Sequence, residues 1–134
     1  MNRRRLLGTI ALAAGWLAFR PGWAWSAHGE TTEHRLARRL VEVFRRRQSA
    51  VAIGRAYIRG VAEAPRVEGL LQEVVANLDP PANELRRAPQ PVLRQTLHAR
   101  IRQDFAEGQT ARVDGWVLSR TEAKLCGLAA LLEA

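Results

Sequence analysis

After residue 30 the apolar positions of the chain repeat with the spacing of α-helices. Thr31 or Thr32 can cap a first helix, and the pattern predicts that this helix extends to about Arg47. Its apolar face repeats every four residues at Leu36, Leu40 and Phe44. The opposite face is predominantly basic, so the pattern predicts an amphipathic helix with one buried side.

Ser49 is a typical N-cap residue and predicts a second helix that extends to about Gly60. The apolar face of this helix contains Ala50, Ile53 and Tyr57. Ala50 and Gly54 lie four residues apart. Because small residues at this spacing let a neighbouring helix approach closely, we expect a tight helix crossing at Gly54.

Prolines delimit the next two predicted helices. Pro65 interrupts the pattern, and a full apolar stripe then predicts a third helix that ends before Asp79. The stripe consists of Val67, Leu70, Leu71, Val74 and Leu78. Pro91 can occupy the first turn of a fourth helix that Gly108 ends, and the loop before it has room for one helical turn at residues 83–87. The apolar positions of the fourth helix are Leu93, Leu97, Ile101 and Phe105.

The last segment predicts a hairpin followed by a capped helix. Asp114 and Gly115 favour a two-residue turn with positive φ at both positions, so residues 112–117 are predicted to form a β-hairpin. Ser119 and Glu122 have the spacing of a capping box. The buried stripe of the closing helix contains Leu125, Leu128, Ala129 and Leu132. The sequence therefore predicts an all-α domain, a small bundle of about four helices with a short β-hairpin before the last helix.

The first 26 residues have the organisation of an export signal. The basic residues Arg3, Arg4 and Arg5 precede an apolar run of 14 residues that begins with Leu6 and Leu7. A membrane-spanning helix needs about 20 apolar residues, so this run is short for a permanent anchor. The paired arginines and the two leucines resemble the twin-arginine (Tat) signal, and the resemblance implies transport to the periplasm by the twin-arginine export machinery. The general secretory route is the alternative.

Cleavage is expected between Ser26 and Ala27, because Ala24 and Ser26 are small at the two positions where signal peptidase requires small side chains. The sequence then consists of a signal peptide, residues 1–26, and a single helical domain, residues 27–134. An uncleaved signal that anchors the chain in the inner membrane is the alternative.

Removal of the predicted signal halves the net positive charge of the chain. The whole chain carries a formal charge of +8, and removal of the four signal arginines lowers it to +4. Six arginines are expected on the polar face of the first helix: Arg35, Arg38, Arg39, Arg45, Arg46 and Arg47. This face is either solvated or docks to an acidic partner or an anionic membrane surface. Nucleic acid is disfavoured, because the four aromatic residues of the domain lie mostly on apolar stripes and leave no stacking platform.

Few residues indicate catalysis or metal binding. His28, Glu30 and His34 have a spacing that can hold a divalent metal, but they are weak candidates beside the simpler interpretation as solvated polar residues. Cys126, the only thiol, is expected to be a small buried hydrophobic residue rather than a nucleophile. The sequence has no phosphate loop, no Gly-x-Ser-x-Gly elbow and no His-Glu-x-x-His motif. We therefore predict a protein that is not an enzyme and carries no cofactor.

The twin-arginine route generally carries folded proteins, often cofactor enzymes and the small subunits that travel with them. Short helical chains with such signals resemble the small subunits of membrane-associated sugar or alcohol dehydrogenases, whose catalytic subunit carries the flavin. The resemblance implies a non-catalytic accessory or interaction protein of the periplasm, which docks through an apolar patch near Trp116 and through the Arg-rich face. The alternatives are a stand-alone binding domain for an anionic ligand or membrane surface, and a small metal-binding protein.

Overall fold

The computed structural model describes residues 30–134, which form six helices and one two-stranded sheet. In chain order the elements are α1 (Thr32–Val41), α2 (Arg47–Arg59), α3 (Val67–Val75), α4 (Ala82–Leu85), α5 (Gln90–Ala106), β1 (Thr110–Val113), β2 (Trp116–Ser119) and α6 (Arg120–Leu132). The mostly helical fold and the hairpin before the last helix are confirmed. The expected number of about four helices is too low for the described residues. The predicted signal peptide and cleavage position lie outside them.

The connection between α1 and α2 differs from the prediction at both ends. Thr31 is the N-cap of α1 as expected, and its hydroxyl accepts a hydrogen bond from the His34 N–H at 3.2 Å. The helix ends at Val41 rather than near Arg47, because hydrogen bonds between residues three apart tighten the chain there and turn Phe44 onto the core. Residues 45 and 46 therefore belong to a loop, and α2 begins two residues before Ser49.

The end of α5 confirms the role predicted for Gly108. Its φ of +70° allows a left-handed C-terminal cap, in which the Gln109 N–H donates to the Asp104 carbonyl at 2.7 Å and the Gly108 N–H donates to the Phe105 carbonyl at 3.2 Å. This cap ends the helix and directs the chain into β1.

The buried face of α5 differs from the predicted stripe. Leu93, Leu97 and Asp104 are buried, whereas Phe105 is 46 % exposed. A helix turns by about 100° per residue, so position 105 is rotated about 120° from Leu93 and position 104 only about 20°. A stripe with strict four-residue steps therefore drifts off the buried face, and the prediction for Phe105 is wrong.

The closing helix α6 is the centre of the core. Eight of its 13 residues are buried, and α1, α2, α3 and α5 all pack against it. Its most extensive contact is with α2, where a Cβ added at Gly54 would lie 1.9 Å from the Cys126 carbonyl oxygen. The close helix crossing predicted at Gly54 is confirmed. Within residues 30–134 no helix is long and apolar enough to cross a membrane.

The hairpin before α6 has the predicted two-residue turn. Asp114 and Gly115 both have positive φ, at 50° and 83°, and Val113 pairs directly with Trp116 in an antiparallel ladder. Val113 and Ser119 are buried, so one residue near the turn and one at the base attach the hairpin to the helices. A two-stranded ribbon is marginal alone, and these attachments make it part of the folded domain.

Candidate functional site

The first turn of α6 is capped entirely by groups of the protein. Ser119 and Glu122 form the predicted capping box: the Glu122 N–H donates to the Ser119 hydroxyl at 2.9 Å, and the Ser119 N–H donates to the Glu122 carboxylate at 3.0 Å. The Thr121 N–H donates to the Asp104 carboxylate at 2.9 Å, and the Arg120 N–H donates to the Gln109 carbonyl at 3.0 Å. This helix end is therefore a structural junction whose N–H groups are already satisfied.

Asp104 is the buried charge at this junction, and only 2 % of its surface is exposed. Its second carboxylate oxygen accepts a hydrogen bond from Arg100 Nε at 2.8 Å, and Arg100 Nη2 lies 2.7 Å from the same oxygen as an ion pair. Burial by itself raises the pKa of Asp104, but hydrogen bonds from Thr121 and Arg100 and the charge of Arg100 outweigh it and hold the pKa below its ordinary value. Sequence reasoning missed this residue, although the four-residue spacing of Arg100 and Asp104 is a readable ion-pair signal.

A polar cleft of about 250 Å³ lies beside this junction, between α3, α5 and α6. Its charges are largely paired with one another. Lys124 Nζ lies 3.3 Å from the Glu73 carboxylate, and Arg100 Nη2 lies 3.6 Å from the Glu107 carboxylate. A charged ligand would have to displace these pairs, so the cleft is a weak candidate for a binding site.

The arginines predicted to form one docking face have different roles in the structure. Arg39 donates to the backbone carbonyls of Arg86, at 3.1 Å, and of Ala88, so its guanidinium holds the segment between α4 and α5. Arg38 pairs with Glu30, Arg47 lies 3.0 Å from the Glu133 carboxylate, and Arg35 is exposed, 3.5 Å from the Glu30 carbonyl.

Arg45 and Arg46 differ from these arginines, because both are exposed and their side chains make neither an ion pair nor a hydrogen bond within residues 30–134. They lie in the loop between α1 and α2, where they follow Phe44 directly. Within the described residues, the predicted face therefore consists of arginines on α1 and α2 that bind other groups of the chain and two loop arginines that bind none.

The weak metal candidates are only partly within the described residues. His28 lies outside them. Glu30 pairs with Arg38, and His34 Nδ1 lies 2.8 Å from the Thr31 hydroxyl and 3.5 Å from the Glu68 carboxylate. Among residues 30–134 there is no group of three His, Cys, Asp or Glu side chains that could hold a metal ion. Metal binding through His28 stays an alternative that the described residues do not test.

Cys126 is buried in α6, as expected for a small hydrophobic residue, and 3 % of its surface is exposed. Burial and the nearby charge of Glu122 raise the pKa of its thiol to about 12. The thiolate is the reactive form of cysteine, so this environment suppresses nucleophilic chemistry.

We expect the Cys126 thiol of the folded protein to resist a disulfide reagent such as dithionitrobenzoate at mildly alkaline pH. Its reaction should be at least about 100-fold slower than in denaturant, because both thiolate formation and access require the core to open. The release of the coloured thiol product measures both rates. Equal rates in the folded and unfolded protein would contradict the buried position.

The hairpin carries the most exposed large apolar side chains of the described residues. Trp116 is 61 % exposed and Val117 is 51 % exposed. Cross-strand partners lie on the same side of the ribbon and successive residues on opposite sides, so Trp116 shares the side of Val113, and Val117 lies on the other side of the hairpin with Arg112. Val113 and Val61 line a cleft of about 260 Å³ between the hairpin and the end of α2, and Val61 is itself 38 % exposed. We refer to Trp116, Val117 and Val61 as the hairpin surface.

Comparisons of the chain with protein-family models, with curated proteins and with solved structures find no match. The candidate functional site is therefore defined by the geometry of the chain's own residues. Of the predicted docking residues, Trp116, Arg45 and Arg46 are exposed without a charged partner in the described part, whereas Arg38 and Arg39 bind groups of the domain itself.

Proposed function

We propose that the chain is an exported, non-catalytic accessory protein that docks onto a periplasmic protein through the hairpin surface. The observation that carries this proposal is the 61 % exposure of Trp116 on a hairpin fixed to the core. Tryptophan is the residue type most enriched among those that dominate binding energy at protein interfaces. Burial of its exposed apolar area against a partner would be strongly favourable, at about 25 cal/mol per Å².

The rigidity of the hairpin supports the same proposal. The turn at Asp114 and Gly115 has the geometry that matches the twist of the two strands, and the buried Val113 holds the side of the hairpin that carries Trp116. A surface that is ordered before binding loses little conformational entropy on binding. Trp116 is therefore presented in one place rather than on a mobile loop.

The charges beside the hairpin surface indicate the chemistry of the partner. Arg112 is the cross-strand neighbour of Val117, and Arg120 follows β2 directly. Neither makes an ion pair within the described residues. We therefore propose a partner whose apolar pocket encloses both sides of the hairpin and has acidic groups at its rim. The twin-arginine-like start favours an oxidoreductase, since that route carries cofactor enzymes together with small subunits.

An anionic membrane surface is the second candidate target. It is favoured by Arg45 and Arg46, which are exposed and adjacent in one loop. Two experiments distinguish the candidates. Sedimentation of the chain with anionic vesicles would favour the membrane surface, and capture of a protein that depends on Trp116 would favour the protein partner.

We expect Trp116→Ser to abolish co-purification of the partner from the periplasm of the native host without loss of the fold. The matched control is Val92→Ser, because Val92 is also an exposed apolar residue, at 37 %, and lies outside the hairpin surface. Affinity capture and mass spectrometry should recover the same protein with the wild-type chain and the control, and not with Trp116→Ser. Equal recovery with all three proteins, or with none, would contradict docking through the hairpin.

A further inference from the structure

A second exposed apolar feature lies away from the hairpin surface, where the connection between α1 and α2 faces α5. A groove of about 290 Å³ is lined there by Val43, Phe44, His98, Ile101, Arg102 and Glu122. Three of these residues are apolar. Phe105 lies one helical turn after Ile101 and is 46 % exposed, so apolar surface continues beyond the groove along α5.

The surroundings of the groove are strongly basic. On α5, Arg94, His98 and Arg102 are exposed and lie four residues apart, so they share one side of the helix. On the other side, Val43 and Phe44 line the groove, and the chain continues from Phe44 into the exposed Arg45 and Arg46, while the exposed Glu42 precedes Val43. None of these four arginines pairs with a carboxylate in residues 30–134.

The one acidic residue that lines the groove does not neutralise these arginines. The Glu122 carboxylate accepts the hydrogen bond from the Ser119 N–H at 3.0 Å and is held there as part of the capping box. The groove therefore combines an apolar lining with Arg102 in its wall and an excess of unpaired arginines beside it among the described residues.

The positive charge beside the groove determines which kind of segment can bind in it. The chain's own first 29 residues contain four arginines and no acidic residue, so the arginines beside the groove repel them. A second copy of the domain would bring the same basic surface to the groove. A segment that is apolar on one side and acidic at its flanks satisfies both the lining and the arginines beside it.

We propose that this groove binds an acidic amphipathic segment of a protein partner. Apolar side chains of the segment contact Val43, Phe44 and Ile101, and its carboxylates lie against Arg102 in the wall and Arg45 and Arg46 beside the groove. The groove goes beyond the proposed function, since it shares no residue with the hairpin surface and gives the chain a second binding surface with a different chemical preference.

The test uses the full chain and a fluorescein-labelled amphipathic peptide of about 18 residues, with leucine and phenylalanine on one face and glutamate on its flanks. A second peptide carries lysine in place of every glutamate. Fluorescence anisotropy should detect saturable binding of the acidic peptide and none of the basic one. The double variant Arg45→Glu with Arg102→Glu should weaken binding at least about tenfold.

Matched variants separate this surface from charge in general and from the hairpin. The double variant Arg66→Glu with Arg87→Glu makes the same charge change at two exposed arginines outside the groove, and it should lower the affinity far less than the double variant in the groove does. Trp116→Ser should bind the peptide as the wild type does. The peptide experiment therefore tests the groove independently of the hairpin surface. Circular dichroism verifies that each variant is folded.

Three results would overturn the proposal. The first is absence of acidic-peptide binding at about 1 mM peptide, which corresponds to negligible affinity. The second is equal weakening by the control pair, Arg66→Glu with Arg87→Glu, and by the groove pair, Arg45→Glu with Arg102→Glu. The third is binding of phosphatidylglycerol vesicles through Arg45 and Arg102 with displacement of the peptide, since this would make the groove a membrane contact.

Discussion

Gly54→Ala should lower the free energy of unfolding by about 3 kcal/mol or more and the Tm by more than about 10 °C. The added Cβ would lie 1.9 Å from the carbonyl oxygen of Cys126 and 2.5 Å from its carbonyl carbon. Both atoms belong to the backbone, so no side chain can rotate away, and α2 has to separate from α6. Because this is the most extensive helix contact of the domain, the whole core loses packing. Urea and thermal unfolding followed by circular dichroism measure the change.

The matched control is Gly69→Ala, which adds the same methyl group within α3. No atom lies within 4 Å of a Cβ at that position. Alanine is the better helix former, so this variant should stabilise the domain by about 0.5–1 kcal/mol. Opposite signs for the two variants support the close crossing of α2 and α6. Equal effects would contradict it.

Asp104→Ala should lower the free energy of unfolding by about 2–4 kcal/mol. The substitution removes the acceptor of the Thr121 N–H at the start of α6 and leaves the largely buried Arg100 without its closest carboxylate. Glu107→Ala is the control at the C-cap of the same helix, because Glu107 also faces Arg100, at 3.6 Å, but is 48 % exposed. An exposed ion pair contributes about 0–1 kcal/mol, so the control should have a small effect. A similar loss for both variants would contradict the structural role of Asp104.

The stabilising effect of Asp104 should also depend on pH. Its pKa in the folded protein lies below the ordinary value that applies to the unfolded chain. The ionised carboxylate therefore stabilises the fold above the unfolded-state pKa of about 3.9, and the stabilisation is lost as the pH falls through the folded-state pKa. The difference in unfolding free energy between wild type and Asp104→Asn should be constant near neutrality and shrink below about pH 4. A constant difference into strong acid would show that the charge of Asp104 has no part in stability.

The features that the sequence predicted correctly are those that neighbouring residues determine. The turn at Asp114 and Gly115 and the capping box at Ser119 depend on interactions within four residues, and both occur in the structure as expected. The C-terminal cap at Gly108 is local in the same sense. Backbone geometry and short-range hydrogen bonds are sufficient to specify such features.

The incorrect predictions depend on contacts between distant parts of the chain. Helical periodicity continued to Arg47, but packing of Phe44 against the core ended α1 at Val41. The inward position of Asp104 follows from its contact with Thr121, 17 residues away. The sequence position of Arg39 assigned it to the same basic face as Arg45. In the structure the Arg39 guanidinium donates to the segment between α4 and α5, and this distant contact distinguishes it from Arg45.

The sequence predicts the two candidate binding surfaces only in part. The sequence pointed to Trp116 because the turn beside it was recognisable, and the structure adds its exposure and the neighbouring Val61. The basic groove could not be predicted, because its walls come from two segments more than 50 residues apart. Arg45, which makes no ion pair in the described residues, acquires a chemical context only because Phe44 before it lines a groove together with Ile101 and Arg102.

Site-specific photo-cross-linking in cells of the native host tests the central claim most directly. The photoreactive residue p-benzoylphenylalanine replaces Val117 in the hairpin surface, and a control chain carries it in place of Gln95, which is exposed on α5. Docking through the hairpin predicts one discrete adduct from position 117, formed with a periplasmic protein, and none from position 95. Absence of an adduct from position 117, or the same adducts from both positions, would contradict it.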